Sequence, residues 1–220
     1  AYEVAPKSIV LLQNDGRLPI AKNSKVSVIG LNAKASTAAG GLGAGVKTLY
    51  EVTHFDGIKN HAEGEVSYAQ AYKNYMGMFG RFRASEPGAN IALEINEAPD
   101  PELVAEAVKA AAEADVVLYF IGTNKSIESE GSDRKDIDLP VGQNEILDAI
   151  AAVNSNIVSI VISGGPCDLR HASEKSRAIL QGWWNGREGG NALAEVIYGE
   201  IAPSGKLPMT FPAKLQDSPA

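Results

Sequence analysis

Four short stretches of the chain are almost uninterrupted apolar runs: KVSVIG (25–30), DVVLYFIG (115–122), NIVSIVIS (156–163) and AILQGW (178–183). They are rich in β-branched residues and barely alternate with polar ones, the pattern of strands covered on both faces. A weaker strand is predicted for EVSYAQAY (65–72). Between the runs the period lengthens. DPELVAEAVKAAAEAD (100–115) has apolar residues at 103, 104, 107, 108 and 111, Asp100 in N-cap position and Pro101 at the first helical position. VGQNEILDAIAAVNSN (141–156) repeats this pattern, and GGNALAEVIYGE (189–200) reaches a candidate C-cap at Gly199. AYEVAPKSIVLL, at the amino terminus, reads as helix without an evident cap. Residues 73–99 follow neither period and are predicted to be a long excursion between sheet elements. Strand and helix alternate, so the expected class is α/β with a mostly parallel sheet sandwiched between helices.

Composition narrows the function classes. The chain has 220 residues, 45% of them hydrophobic, enough for a large domain with a proper core. Lys and Arg number 20 against 27 Asp and Glu, a net charge of −7 with no basic stripe. Nucleic acid and anionic membrane surfaces are therefore poor partners, and the apolar runs are too short to span a bilayer. The single Cys167 excludes an internal disulfide and a cysteine-based zinc site. Its setting, ISGGPCDL, suggests a small residue packed after a strand, and it says little about compartment. The first residues lack the basic and apolar regions of a signal peptide, and FPAKLQDSPA trails off like an interdomain linker. The expected organisation is one domain over 1–212, with 213–220 opening a linker.

Ligands of open parallel sheets bind beyond the carboxyl ends of the strands. TNKSIESEGSDR (123–134) is one such loop and sets Glu128, Glu130, Asp133 and Arg134 within seven positions. Glu128 and Glu130 share a direction if the segment is extended, and Asp133 can pair with Arg134 or cap the following turn. Taken alone, the residues fit a solvated loop better than a site. GGLGAG (40–45) lacks both the spacing and the context of a dinucleotide or phosphate loop. His54, His61 and His171 are scattered, without metal-ligand spacing, and read as surface or core residues. No serine stands in a nucleophile turn. No cofactor is expected. In GWWNGREGGNALAEVIYGE the tryptophans are predicted to be core and the glycines to allow close packing.

The order of six blocks adds a resemblance. SIVLLQNDGRLPI, VSVIGLNA, GGLGAG, IESEGSDRKDIDLPVGQ, ISGGPCDL and GWWNGREGGNALAEVIYGEIAPSGKLPMTFP occur in this sequence over nearly the whole chain. The chain resembles the carboxyl-terminal α/β sandwich domain of glycoside hydrolase family 3, the exo-acting β-glucosidases and β-xylosidases. The resemblance implies a flavodoxin-like (αβ)6 sandwich with a terminal antiparallel addition. It implies an oligosaccharide substrate and, as partner, an amino-terminal barrel domain that is absent from this chain and carries the nucleophilic Asp. The acid/base of several members is the Glu of an E-G-x-D-R pattern, here Glu130-Gly131-Ser132-Asp133-Arg134. Glu128 is the rival, with Asp133 and Arg134 as loop support. Such an enzyme needs one ionised carboxylate to attack the anomeric carbon and one protonated carboxyl for the leaving oxygen, whose pKa a partly dry site and its neighbour's charge must lift. GGLGAG, through Gly41 and Leu42, would line the aglycone side. SIESEGSDR and KLPMTF lean toward the xylosidase-like branch, and a periplasmic or secreted setting is implied. The alternative is a non-catalytic carbohydrate-binding or scaffolding module that kept the fold; the intact E-G-S-D-R loop favours the hydrolase.

Overall fold

The computed structural model describes residues 1–38, 47–75, 91–92, 95–128 and 134–218. The chain opens with a single helical turn, α1 (Ala5–Ser8), and the edge strand β1 (Val10–Asn14). Then come β2 (Val26–Ile29), α2 (His54–His61), β3 (Val66–Ala69) and the two-residue strands β4 (Asn74–Tyr75) and β5 (Ile91–Ala92). The second half alternates strictly: α3 (Pro101–Ala112), β6 (Val116–Gly122), α4 (Gln143–Ala151), β7 (Ile157–Ile162), α5 (Arg170–Lys175), β8 (Ala178–Gln181) and α6 (Gly189–Ile197).

The six-stranded sheet has the order β1-β8-β7-β6-β2-β3, and β4 pairs with β5 apart from it. Every pairing in the sheet is parallel except that of β1 with β8. All seven residues of the central β6 are buried, which explains its unbroken apolar run. Val116, Leu118 and Phe120 face one layer, with Ile58 of α2 and Leu193 and Ile197 of α6. Val117, Tyr119 and Ile121 face the other, with Ala107 of α3, Ile146 and Ile150 of α4, and Ala172 of α5. The α2 and α6 helices meet through glycines. A Cβ on Gly57 would lie 2.1 Å from the carbonyl of Gly190, so the crossing closes only without side chains. Among the described residues no helix is long and apolar enough to cross a membrane.

The expected α/β sandwich with an antiparallel addition is the fold observed. One helix is corrected. AYEVAPKSIVLL is helical only over Ala5–Ser8; Ile9 is already extended (φ −69°, ψ 128°), and Val10–Asn14 after it pairs with the free edge of β8. Tertiary pairing outweighs a helical period there. Helix α2 escaped the reading because its composition is mixed, although Thr53 caps it by accepting the Asp56 N–H. The short α5 was missed as well. The tryptophans are not core: Trp183 and Trp184 are both half-buried, Trp184 packing against the core's rim and Trp183 donating through Nε1 to Ser8 O at 3.0 Å. Most of the excursion over 73–99 lies outside the described residues.

Candidate active-site edge

Because β2, β6, β7 and β8 are parallel, the segments that follow them leave from one edge of the sheet. The exit of β6 is fixed first. Gln143, buried at the start of α4, accepts the Gly122 N–H through Oε1 at 2.8 Å and returns Nε2 to Gly122 O at 3.0 Å. Two residues on, Asn124 closes a turn. Its Oδ1 accepts the N–H groups of Ser126 and Ile127, and its backbone oxygen accepts those of Ile127 and Glu128. Its Nδ2 donates to Asn74 Oδ1 and Tyr75 O, tying the turn to β4. This is the local hydrogen bonding for which Asn is preferred in turns. The turn carries Glu128 across to the segment that follows β7.

There the Glu128 carboxylate is fully engaged. Gly164 N donates to Oε2 at 2.6 Å and Gly165 N to Oε1 at 3.3 Å, while Arg134 Nη1 stands 3.4 Å from Oε1. The same guanidinium donates to Pro166 O at 2.8 Å and, through Nη2, to Asp138 O at 3.2 Å. Both charged side chains are about 15% exposed, 16% for Glu128 and 15% for Arg134, so the pair sits in a poorly hydrated corner. A Cβ on Gly164 would lie 2.9 Å from Glu128 Oε2, so the close approach of the two segments depends on the absence of a side chain. Cys167 lies beneath, its Sγ 3.9 Å from Arg134 Nη1; burial pushes its pKa up, against the pull of the Arg134 charge. It is a packed, protonated thiol, as expected of a small residue after a strand.

A second carboxylate works at the β2 side of the edge. Glu51 accepts Ser36 Oγ at 2.5 Å on Oε2, and the N–H groups of Thr37 and Ala38 on Oε1 at 2.5 and 2.9 Å. Burial raises the Glu51 pKa, but these hydrogen bonds outweigh it and hold the group below its ordinary value. Nearby, Lys125 lies 5.3 Å from the Trp184 ring centre, and burial lowers its pKa against the opposing charge of Glu51. Thr123 Oγ1, Trp184 Nε1 and Asn185 Nδ2 are buried at this edge with no hydrogen-bond partner among the described residues.

Among the described residues no group of three or more His, Cys, Asp or Glu side chains could hold a metal ion. His61 pairs with Glu200 and His171 with Asp148 on the surface. His54 is buried, against the Phe120 ring and 3.3 Å from Asn185 Oδ1, and burial lowers its pKa.

The model of the glycosyl hydrolase family 3 C-terminal domain matches residues 9–220. The chain belongs to this family. It is 36% identical over its whole length to β-glucosidase BoGH3A of Bacteroides ovatus, and 34% identical to an exo-α-(1→6)-L-arabinopyranosidase of Bifidobacterium longum. It superposes on 99% of its length with a β-glucosidase of family 3 from Bifidobacterium adolescentis, at a TM-score of 0.82 and 35% identity. The chain covers 29%, 28% and 29% of these three proteins, under a third of each.

Within this family 3 domain the structure brings two of the anticipated residues together, Glu128 and Arg134. Glu130, Asp133, Gly41 and Leu42 lie outside the described residues, and with them the anticipated pairing of Asp133 with Arg134. Sequence reasoning missed Gln143, Glu51 and the amides of Gly164 and Gly165. The adjacent glycines after a strand were the available signal for the last pair, since such dipeptides mark close backbone approach.

Proposed function

We propose that this chain is the second domain of a longer, exo-acting, retaining β-glycosidase, and that Glu130 is its acid/base. The substrate is an oligosaccharide or glycoside with a terminal β-D-glucosyl residue, or a β-D-xylosyl residue as the neighbouring specificity. The partner is an amino-terminal barrel domain that supplies the nucleophile. The whole-chain similarity to glycosidases more than three times longer supports the division of labour. One observation carries the assignment of the acid/base: Glu128, the rival, is held by two backbone amides and a guanidinium. A general acid must hold a proton and deliver it to the leaving oxygen. A carboxylate whose two oxygens already accept three N–H donors is committed to the protein's own backbone and guanidinium rather than to that task.

The chemistry then divides in two steps. The barrel's carboxylate attacks the anomeric carbon while Glu130, protonated and on the order of 5–5.5 Å from it, hands its proton to the departing oxygen. Glu130, now ionised, takes a proton from the water that opens the glycosyl-enzyme intermediate. The same carboxyl thus serves as acid and then base. In the full-length protein, Glu130→Gln is expected to cut turnover of unactivated glycosides by about 10²–10⁴-fold. Azide, which needs no general base, should restore turnover of an activated aryl glucoside and yield the β-glycosyl azide. Absence of azide rescue together with unchanged hydrolysis of cellobiose would remove Glu130 from the mechanism.

A further inference from the structure

The five residues 129–133 are bracketed by two charged side chains that bind each other, Glu128 before them and Arg134 after, with 3.4 Å between Oε1 and Nη1. Both brackets are also anchored to a different segment. Glu128 takes the Gly164 and Gly165 amides, and Arg134 donates to Pro166 O, all in the stretch that leaves β7. Arg134 reaches Asp138 O as well, fixing the chain on its far side. Glu128 and Arg134 are thereby held to each other and registered against the exit of β7.

We infer that Glu128 and Arg134, with the Gly164–Gly165 amides as their dock, form a positioning clamp for the acid/base segment, acting through Glu130 rather than on substrate. The inference rests on the assignment of Glu130 as acid/base. Its physical basis is cooperativity of charged hydrogen bonds in a corner with little water, where an N–H to carboxylate contact is roughly twice as strong as a neutral one. The guanidinium fork is the group suited to bridging a carboxylate and two carbonyls at once, which an ammonium does poorly. Both amides come from glycines, and at Gly164 a side chain would meet the carboxylate. The clamp therefore has a partner that can be altered without touching either charged residue or the acid/base segment.

That alteration is the test. Gly164→Ala places a Cβ 2.9 Å from Oε2, where the flexible end of Glu128 has to move and no backbone does. In the full-length protein, Gly164→Ala, Glu128→Ala and the double variant are compared on aryl β-glucosides of graded leaving-group ability. The clamp predicts that each single variant loses kcat on poor leaving groups by up to about 10²-fold, the size of a misplacement of roughly 1 Å. KM and the activated substrates should change little. The double variant should be no worse than Glu128→Ala, because both changes break the same contact. Glu128→Gln, which keeps one acceptor oxygen for Gly164 N–H, should recover part of the loss. Azide should rescue none of them, since Glu130 is still present. Additive losses, equal losses on all leaving groups, or wild-type behaviour of Gly164→Ala with Glu130→Gln still crippled would overturn the clamp and leave the acid/base assignment intact. Azide rescue of Glu128→Ala would overturn both, by making Glu128 the acid/base. Gly164→Ala carries the test on its own if Glu128→Ala does not fold.

Discussion

Glu51 and Glu128 stand at the same edge of the sheet, and both spend their carboxylates on backbone amides, but at very different reach. Glu51 binds residues 13–15 positions away, all on the segment that leaves β2. Glu128 binds amides 36 and 37 positions away, on the exit of a different strand, and a guanidinium besides. The first arrangement closes a segment on itself. The second sets one segment in register with another and so with the sheet. Closure alone defines a shape, whereas registry defines where a side chain stands relative to a partner domain, and only the latter matters to proton transfer over a distance of a few ångströms.

The comparison is sharpest in steady-state kinetics of the full-length protein. Glu128→Ala is expected to lower kcat for poor leaving groups by up to about 10²-fold with KM nearly unchanged. Glu51→Ala loosens the foot of the segment in which Gly41 and Leu42 are anticipated to line the aglycone side. It should raise KM for disaccharides by about tenfold, the cost of roughly 1.4 kcal/mol of uniform binding, and leave kcat within about twofold. Should Glu51→Ala instead reproduce the leaving-group-dependent loss in kcat, the distinction between closure and registry fails.

Acid titration of stability separates the residues by a smaller margin. Glu51 has a folded pKa below its unfolded value, so its contribution is present above about pH 4.3 and fades as pH falls through the lower, folded value. Glu51→Gln should cost about 1 kcal/mol at neutral pH, and its unfolding curve should converge on that of the wild type in strong acid. His54 acts earlier. Burial keeps its folded pKa below the unfolded value of about 6.5, so the unfolded chain binds the extra proton and stability declines as pH drops below about 6.5. Thermal unfolding from pH 7.5 to 5 should show this decline in wild type and not in His54→Phe. A pH-independent midpoint over that range would contradict the buried, neutral assignment.

What was legible in the chain follows the same division between local and long-range physics. Strands β2, β6, β7 and β8 were readable because burial on both faces writes itself as continuous apolar sequence. Helix α3 was readable because Asp100 caps it by accepting Glu102 N–H and Pro101 opens it. Strand β1 was not, because it is an edge strand whose pairing with β8 is set by a partner some 170 residues away. The carboxylates of SIESEGSDR were visible as candidates. The engagement of Glu128 was not, since the amides that bind it belong to ISGGPCDL and only the fold brings that segment within 2.6 Å. Glu51, isolated in the sequence, carried no signal at all.

The central claim is that, of two carboxylates two residues apart, Glu128 is structural and Glu130 transfers the proton. It is tested most directly by the dependence of log(kcat/KM) on leaving-group pKa, measured side by side for Glu128→Gln and Glu130→Gln in the full-length protein. The account predicts a steep slope for Glu130→Gln, because nothing protonates the departing oxygen, and, separately, azide rescue of kcat on an activated aryl glucoside, because nothing activates the water. For Glu128→Gln it predicts a shallower slope with no rescue. A steep slope with azide rescue of kcat for Glu128→Gln, beside a wild-type slope for Glu130→Gln, would contradict it.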